Sequence, residues 1–342
     1  MPNRRAGEKS PRSRPRSAAP GTDLALGIDL GATKVVSALV APDGTIVHHG
    51  GTEVHGNDGP DNVIRSLVEG IHRCLRKAPS LPLPPIGVSV AAQVDPETGT
   101  VVHAPNLRWR DVPLAGRISE ALHGARVVVL NDARAATLAE WRLGAGQGTN
   151  DLVCMVLGTG VGGSAVVGGH LLEGRTHALG EVGHVTVMSG GRRCHCPNFG
   201  CLEAYVGGWA IAERAQEAVR ADPVAGAALL TNAGSVEAIS ARTVFSVYRA
   251  RDAMAERIVR ETERYLADGA VSVVNSFNPE MLVLAGGLVA GMPEFVNVVE
   301  GAVRSRCQPP AAGARVTPAR FGELAPLVGA AVAARQPARP AE

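Results

Sequence analysis

The chain has 342 residues, of which 45% are hydrophobic and 3% aromatic, and its formal net charge is +2. This apolar content excludes wholesale disorder, and no apolar run approaches the roughly 20 residues that span a bilayer. Residues 1–22 carry six Lys or Arg and one Glu, so residues 23–342 carry 28 basic against 31 acidic side chains. The positive excess therefore belongs to a leader, and the body lacks the basic, aromatic-rich face typical of nucleic-acid-binding proteins.

The leader, residues 1–22, is rich in Arg, Pro and Ser and contains no apolar segment. This composition predicts a disordered tail rather than a secretory signal, and an address or partner-binding arm is the alternative. Three of the six cysteines cluster within residues 194–201, and the other three are scattered. That pattern predicts a cytoplasmic protein with one metal site rather than a disulfide framework.

The predicted elements of the first half alternate between buried strands and amphipathic helices. Strands are predicted at residues 24–29, 34–40, 45–50, 86–90 and 126–130, and helices at 60–77, near 113–123 and at 132–143. In the second half, strands are predicted at 152–157, 164–167 and 281–284, and helices over 208–276 with breaks near 222–223 and 232–235, then at 293–305 and 324–335.

This alternation predicts an α/β protein with a largely parallel sheet in each of two lobes. The small lobe would comprise residues 23–131, completed by a C-terminal helix at 324–338, and the large lobe residues 132–323. Each lobe opens with a strand, a glycine-rich turn and another strand. The two turns, residues 31–33 and 158–163, are therefore expected to be corresponding parts of two related halves.

The first chemical motif is Gly27-Ile28-Asp29-Leu30-Gly31-Ala32-Thr33-Lys34. Glycines in a turn let backbone N–H groups approach an anion closely. Thr33 adds a hydroxyl, Lys34 adds a cation, and Asp29 is a carboxylate of the kind that binds hydrated Mg²⁺. A strand follows where a P-loop has a helix, so this is either a phosphate-binding hairpin or an ordinary turn.

The second motif, Leu157-Gly158-Thr159-Gly160-Val161-Gly162-Gly163, contains the spacing GxGxxG. A dinucleotide-binding turn of that spacing must open a helix, whereas residues 164–169 are typical of a strand and turn. A second phosphate-binding hairpin is therefore favoured over an NAD site.

The third motif combines one histidine and three cysteines within 18 residues: His184, Cys194, Cys196 and Cys201. Four such ligands fill a tetrahedral zinc site and leave no open position, which predicts a structural metal. His195 alternates with Cys194 and Cys196 and is expected to point away from the metal.

The fourth motif is Asn131-Asp132, between a predicted strand and a predicted helix. Ligands of open α/β sheets bind at the carboxyl ends of strands, where a carboxylate can accept a proton from an attacking hydroxyl. A helix N-cap is the alternative interpretation of this pair.

Together these motifs resemble the ROK family of sugar kinases and sugar-responsive repressors, over about residues 24–335. The segments that carry the resemblance are GIDLGATK, APNLRW, VVVLNDARAA, LGTGVGG, the E-x-x-H-x9-C-x-C-x4-C-L-E block and VLAGG. The resemblance implies the two-lobed actin-like, ribonuclease-H-like ATPase fold, with the active site in the cleft between the lobes. It also implies a homodimer or homotetramer.

By this resemblance Asp132 is the general base, which favours base over cap. The implied sugar ligands or their supports are Asn106, Asn131, Glu181, His184 and Glu203. The implied ATP and Mg²⁺ ligands are Asp29, Gly31, Thr33, Lys34, Thr159 and Gly160, with Gly286 and Gly287 against adenosine.

The activity implied is ATP-dependent phosphorylation of a hexose at its 6-hydroxyl, with glucose first and N-acetylmannosamine or N-acetylglucosamine as the alternative. A sugar-sensing repressor would need a helix-turn-helix before the first motif, where the chain is rich in Pro and Arg. Two positions depart from the family pattern: the loop Ala91-Ala92-Gln93, which is expected to border the sugar, and Arg134, in place of a common Asn.

Overall fold

The computed structural model describes residues 23–77 and 83–337. The predicted leader, residues 1–22, lies outside the described residues. The strands are β1 (Ala25–Leu30), β2 (Lys34–Val40), β3 (Ile46–Glu53), β4 (Ile86–Val90), β5 (Gln93–Asp95), β6 (Thr100–Ala104), β7 (Trp109–Val112), β8 (Val127–Asn131), β9 (Leu152–Leu157), β10 (Val161–Val167), β11 (His170–Leu171), β12 (Met281–Ala285) and β13 (Arg315–Pro318).

The helices follow the same chain order, and short 3-10 turns lie between some of them. They are α1 (Gly59–Leu75), α2 (Leu114–Ala121), α3 (Asp132–Leu143), α4 (Glu203–Val206), α5 (Gly208–Ala221), α6 (Ala227–Ala233), α7 (Ala241–Arg249), α8 (Ala253–Phe277), α9 (Gly287–Gly291), α10 (Glu294–Arg306) and α11 (Ala325–Arg335). In the described part of the chain, no helix is both long enough and apolar enough to cross a membrane.

The two large sheets have the same plan. Their strand orders are β3-β2-β1-β4-β8 and β11-β10-β9-β12-β13. In each, an antiparallel hairpin is followed by parallel strands, β1 with β4 and β9 with β12. Strands β1, β4, β9 and β12 are almost entirely buried, as expected for parallel strands covered on both faces. The predicted two-lobed α/β fold with related halves is therefore confirmed.

Helix α11 returns from the C-terminal end of the chain to the first sheet, where it packs on β1, β4 and α3. The approach is close enough that only glycine fits at the contacts. A Cβ at Gly87 would overlap the carbonyl of Ala330, and one at Gly329 would overlap the carbonyl of Ala135. Backbone-to-backbone packing of this kind keeps α3, which follows β8, in a defined position against the sheet.

The sequence predictions of secondary structure were incomplete in several places, and strands β11 and β13 were not predicted. The small sheet β5-β6-β7 between β4 and α2 was missed, because its strands are short and separated by tight turns. The predicted helical stretch over 208–276 has a further break before α8, where the Asp252 side chain caps the new helix by accepting from the Ala255 N–H. The second glycine-rich turn is shorter than predicted, since Gly162 and Gly163 belong to β10.

Candidate active site

The candidate site lies where the parallel strands β1, β4 and β8 end. Asp29 of β1 is in register with Ser89 of β4, and the Ser89 hydroxyl donates to Asp29 Oδ1 at 2.7 Å. On the far side of β4, Asn131 is the last residue of β8, and Asp132 opens α3. Topology therefore brings the two predicted carboxylates to one edge of the first sheet.

The geometry separates helix capping from the role of Asp132. Asn131 is the N-cap of α3, and its Oδ1 accepts from the N–H of Arg134 at 3.1 Å. Its Nδ2 donates to the Ala92 carbonyl at 3.2 Å and to Asp132 Oδ1 at 3.1 Å. Asp132 Oδ1 also accepts from the Ala133 N–H at 2.8 Å. Because Asn131 caps the helix and orients its neighbour, the Asp132 carboxylate is not needed as the cap.

Burial, together with the smaller effects of the negative charges of Asp29 and Glu181, raises the pKa of Asp132 to about 6. Burial also raises the pKa of Asp29, while the hydrogen bond from Ser89 lowers it. Burial and a neighbouring negative charge both raise the pKa of a carboxylate. Such shifted pKa values are common at catalytic sites. A carboxylate with a pKa of about 6 is a suitable proton acceptor near neutral pH.

The first predicted phosphate hairpin is the turn between β1 and β2. The Gly31 N–H donates to the Lys34 carbonyl at 2.9 Å, which closes the turn. The carbonyls of Ala32 and Thr33 accept from the N–H groups of Gly56 and Val54, so the following segment supports the turn from behind. The side chains of Thr33 and Lys34 are exposed and free to meet a ligand.

The second hairpin, residues 158–160, joins β9 to β10 and is closed by a hydrogen bond from the Gly158 N–H to the Gly160 carbonyl at 2.9 Å. The carbonyls of Gly158 and Thr159 accept from the N–H groups of Gly208 and Trp209, at the start of α5. Gly286, which follows β12, has a φ of 96° and packs against the backbone of Leu157. The predicted adenosine segment, Gly286-Gly287, therefore lies beside the second hairpin.

The predicted sugar ligands have different environments. Glu181 is exposed, and its Oε2 lies 3.9 Å from His184 Nε2. Glu203 Oε2 accepts from the Val161 N–H at 2.8 Å, so this carboxylate contacts the second hairpin. Asn106 is exposed in a short turn between β6 and β7, where its carbonyl faces Gly56. Two members of this group interact with the candidate base: Asn131 through its hydrogen bond to Asp132, and Glu181 through its negative charge.

The four predicted metal ligands come together in the loop after β11. The donor atoms of His184, Cys194, Cys196 and Cys201 all lie within 4.8 Å of one another. Cys196 Sγ is 3.6 Å from Cys201 Sγ, and Cys194 Sγ is 3.7 Å from His184 Nδ1. Tetrahedral zinc with bonds of about 2.3 Å to sulfur separates its ligands by about 3.8 Å, so spacing and chemistry both fit zinc.

Two residues near the site have roles that sequence reasoning missed. Arg134 does not face solvent: it is buried, forms an ion pair with Glu173 at 3.0 Å and donates to the His177 carbonyl at 3.1 Å. It therefore ties the first turn of α3 to the loop that leads to Glu181. Ser89 was missed although a polar residue in the otherwise apolar strand Ile86–Val90 was a visible signal.

Comparison with known proteins gives consistent matches. The ROK family model matches residues 25–337. The glucokinase of Streptomyces coelicolor is 30% identical over 325 residues, which is 92% of this chain and 98% of the relative. A crystal structure of a ROK family glucokinase from Streptomyces griseus in complex with glucose and AMPPNP is 31% identical and has a TM-score of 0.81, covering 92% of this chain and 100% of that one. The xylose repressor of Bacillus spizizenii is 26% identical over 89% of this chain and 75% of its own length.

Proposed function

The chain belongs to the ROK family, and from this we propose that it is an ATP-dependent hexose kinase that phosphorylates the 6-hydroxyl of its sugar, with glucose as the preferred substrate. The relative solved with glucose and AMPPNP, which matches over its whole length, supports both ligand classes. The observation that carries the proposal is the Asp132 carboxylate, oriented by Asn131 at the end of β8 and with a pKa raised to about 6.

The proposed reaction starts when Asp132 accepts the proton of the sugar hydroxyl. The hydroxyl oxygen forms a bond to the γ-phosphorus of ATP, the bond to the β,γ-bridging oxygen breaks, and ADP leaves. The proton remains on Asp132 until water takes it. Because the pKa of Asp132 is close to neutral pH, both the acceptance and the release of this proton are accessible.

Positioning of the phosphates falls to the two hairpins. Phosphoryl transfer depends mainly on alignment and on stabilising charge, which backbone N–H groups of glycine-rich turns and one lysine can supply. We assign Gly31, Thr33 and Lys34 of the first hairpin, and Thr159 and Gly160 of the second, to this role. Asp29 would hold Mg²⁺, which would neutralise phosphate charge when bound.

Sugar selection is proposed to involve the polar side chains around the cleft: Asn106, Asn131, Glu181, His184 and Glu203. His184 has two nitrogens with different surroundings, Nδ1 toward the cysteines and Nε2 toward Glu181, so one ring can serve both metal and sugar. A site that forms a hydrogen bond with each hydroxyl rejects analogues that lack one, because its own buried groups would be left unpaired.

We propose that the lobes 23–131 with α11, and 132–323, close on the sugar and exclude water. The function is tested by an ADP-release assay with glucose, mannose, fructose, N-acetylmannosamine and N-acetylglucosamine, followed by identification of the phosphorylated position. Glucose is expected to give the highest kcat/KM, and the product is expected to be the 6-phosphate. Sugar binding without hexose-dependent ADP release would refute the kinase and favour a sugar sensor.

A further inference from the structure

Trp209 joins the metal-binding loop to the second hairpin. It is the second residue of α5, and its backbone N–H donates to the Thr159 carbonyl at 3.2 Å. The preceding Gly208 N–H donates to the Gly158 carbonyl at 3.0 Å. The position of this hairpin therefore depends on where the first turn of α5 lies.

The indole of Trp209 has two further contacts. Its Nε1–H donates to Glu203 Oε1 at 3.3 Å, and its ring stacks on the imidazole of His195 with centroids 3.9 Å apart and planes 16° apart. Glu203 Oε2 accepts from the Val161 N–H at 2.8 Å, and its carboxylate fills the space that a Cβ on Gly160 would need. Trp209 therefore forms a hydrogen bond with the turn itself, at Thr159, and Glu203 forms one with the residue that follows the turn, Val161.

His195 lies between two of the metal ligands, Cys194 and Cys196, and its exposed ring points away from them. The loop also contains two isolated β-bridges, Thr186 with Cys201 and Arg193 with Phe199, and Arg192 joins it to α5 through an ion pair with Glu217 at 2.7 Å. Cys194 Sγ also lies 4.0 Å from Glu203 Oε1. A metal that fixes Cys194 and Cys196 therefore fixes the place at which His195 meets Trp209.

We propose that His195 is a positioning residue that couples the metal loop to nucleotide binding through its stack on Trp209. This inference rests on the proposed function, since it assigns the second hairpin to the phosphates of ATP. The metal and the nucleotide then stabilise each other's site, because coupling between two binding sites is reciprocal. A stacked aromatic pair of this kind corresponds to an effect of about three- to tenfold on affinity.

The coupling is tested in both directions on the full-length, zinc-loaded chain. The rate of zinc transfer to a chromogenic chelator is measured with and without AMP-PNP and excess Mg²⁺, and the dissociation constant of AMP-PNP is measured by tryptophan fluorescence. The nucleotide is expected to slow zinc release about three- to tenfold in the wild type and to leave it unchanged in His195→Ala.

Three variants separate the stack from a general effect on the loop. His195→Ala is expected to keep about one zinc per chain, to weaken AMP-PNP binding about three- to tenfold, and to raise the KM for ATP more than it lowers kcat. His195→Phe restores a flat ring and is expected to recover the affinity. Arg193→Ala is the matched control, because Arg193 is exposed on the same loop and its guanidinium lies over Phe199 instead.

Wild-type affinity for AMP-PNP in His195→Ala would overturn the proposal, and so would an equal loss in Arg193→Ala. Equal zinc-release rates with and without nucleotide, in an active wild-type kinase, would refute the coupling alone. Intact coupling in a protein that shows no hexose-dependent ADP release would refute the kinase instead, and failure of the wild type to bind AMP-PNP would overturn both.

Discussion

Replacing Asp132 with Asn removes the proposed proton acceptor and keeps the shape of the side chain. The amide oxygen can still accept from the Ala133 N–H, and the helix remains capped by Asn131. A positioned general base contributes about 10²- to 10⁴-fold to a rate, so kcat is expected to fall within that range. The KM for ATP is expected to change little, because neither hairpin depends on Asp132.

The raised pKa of Asp132 also predicts a change in stability. Its pKa is about 6 in the folded chain against 3.8 for an ordinary Asp, so between these values the folded state binds more protons than the unfolded state. Stability from this group is therefore lost as pH rises from about 4 to 6, by about 2–3 kcal/mol. Asp132→Asn is expected to raise the free energy of unfolding by up to that amount above pH 6, and by little at pH 4.

Two assays check these expectations. Steady-state ADP release is measured from pH 5 to pH 8. The wild-type kcat/KM should decrease as the pH is lowered through about 6, the pKa of Asp132, because the base becomes protonated. Urea unfolding at pH 4.5 and pH 7.5 gives the change in stability. A kcat of Asp132→Asn within a few-fold of the wild-type value would refute the role of Asp132 as the base. A lower free energy of unfolding for Asp132→Asn than for the wild type at pH 7.5 would refute the conclusion that the buried Asp132 carboxylate destabilises the fold.

Four further predictions concern other parts of the site and its support. Metal analysis is expected to show that Cys196→Ala has lost zinc, and the variant is expected to unfold at a lower temperature than the wild type. A metal-free variant with wild-type Tm and activity would contradict a structural role for the metal. The buried carboxylate of Glu140 accepts from the N–H groups of Ala145, between α3 and β9, and of Arg320 and Phe321, between β13 and α11. Glu140→Ala should therefore lower the free energy of unfolding by about 3 kcal/mol or more, and Glu140→Gln should lower it less. An unchanged urea midpoint in Glu140→Ala would contradict this. Arg134→Ala should raise the KM for the sugar more than the KM for ATP, since it frees the loop before Glu181, and equal changes would argue against that role. A Cβ on Gly51 would displace the Lys34 side chain, whereas a Cβ on Gly50 would face open space. Gly51→Ala should therefore raise the KM for ATP a few-fold, and the control Gly50→Ala should leave it unchanged.

Several local elements could be predicted because their causes are local. The apolar run of residues 152–157 and the helix of residues 132–143 have the bounds that the sequence indicated. The metal cluster was predictable for the same reason, since His184 and the three cysteines lie within 18 residues and need only a short loop to meet. The sheet β5-β6-β7 could not be predicted, because strands this short are defined by the strands they pair with rather than by the pattern of their own residues.

The sequence by itself determined which chemical groups are available: two glycine-rich hairpins, one cation beside the first of them, one histidine and three cysteines with a spacing that suits zinc, and an Asp at the start of a helix. Only the tertiary structure decided how these groups are arranged around one another. Asp132 became a candidate base, rather than a cap, because Asn131 caps the helix and because burial near Asp29 raises its pKa to about 6. Arg134 likewise contacts Glu173, which is distant in the chain, and His195 contacts Trp209, which belongs to a helix outside the metal loop. These pairs meet only when the chain folds, so the sequence pattern did not indicate them.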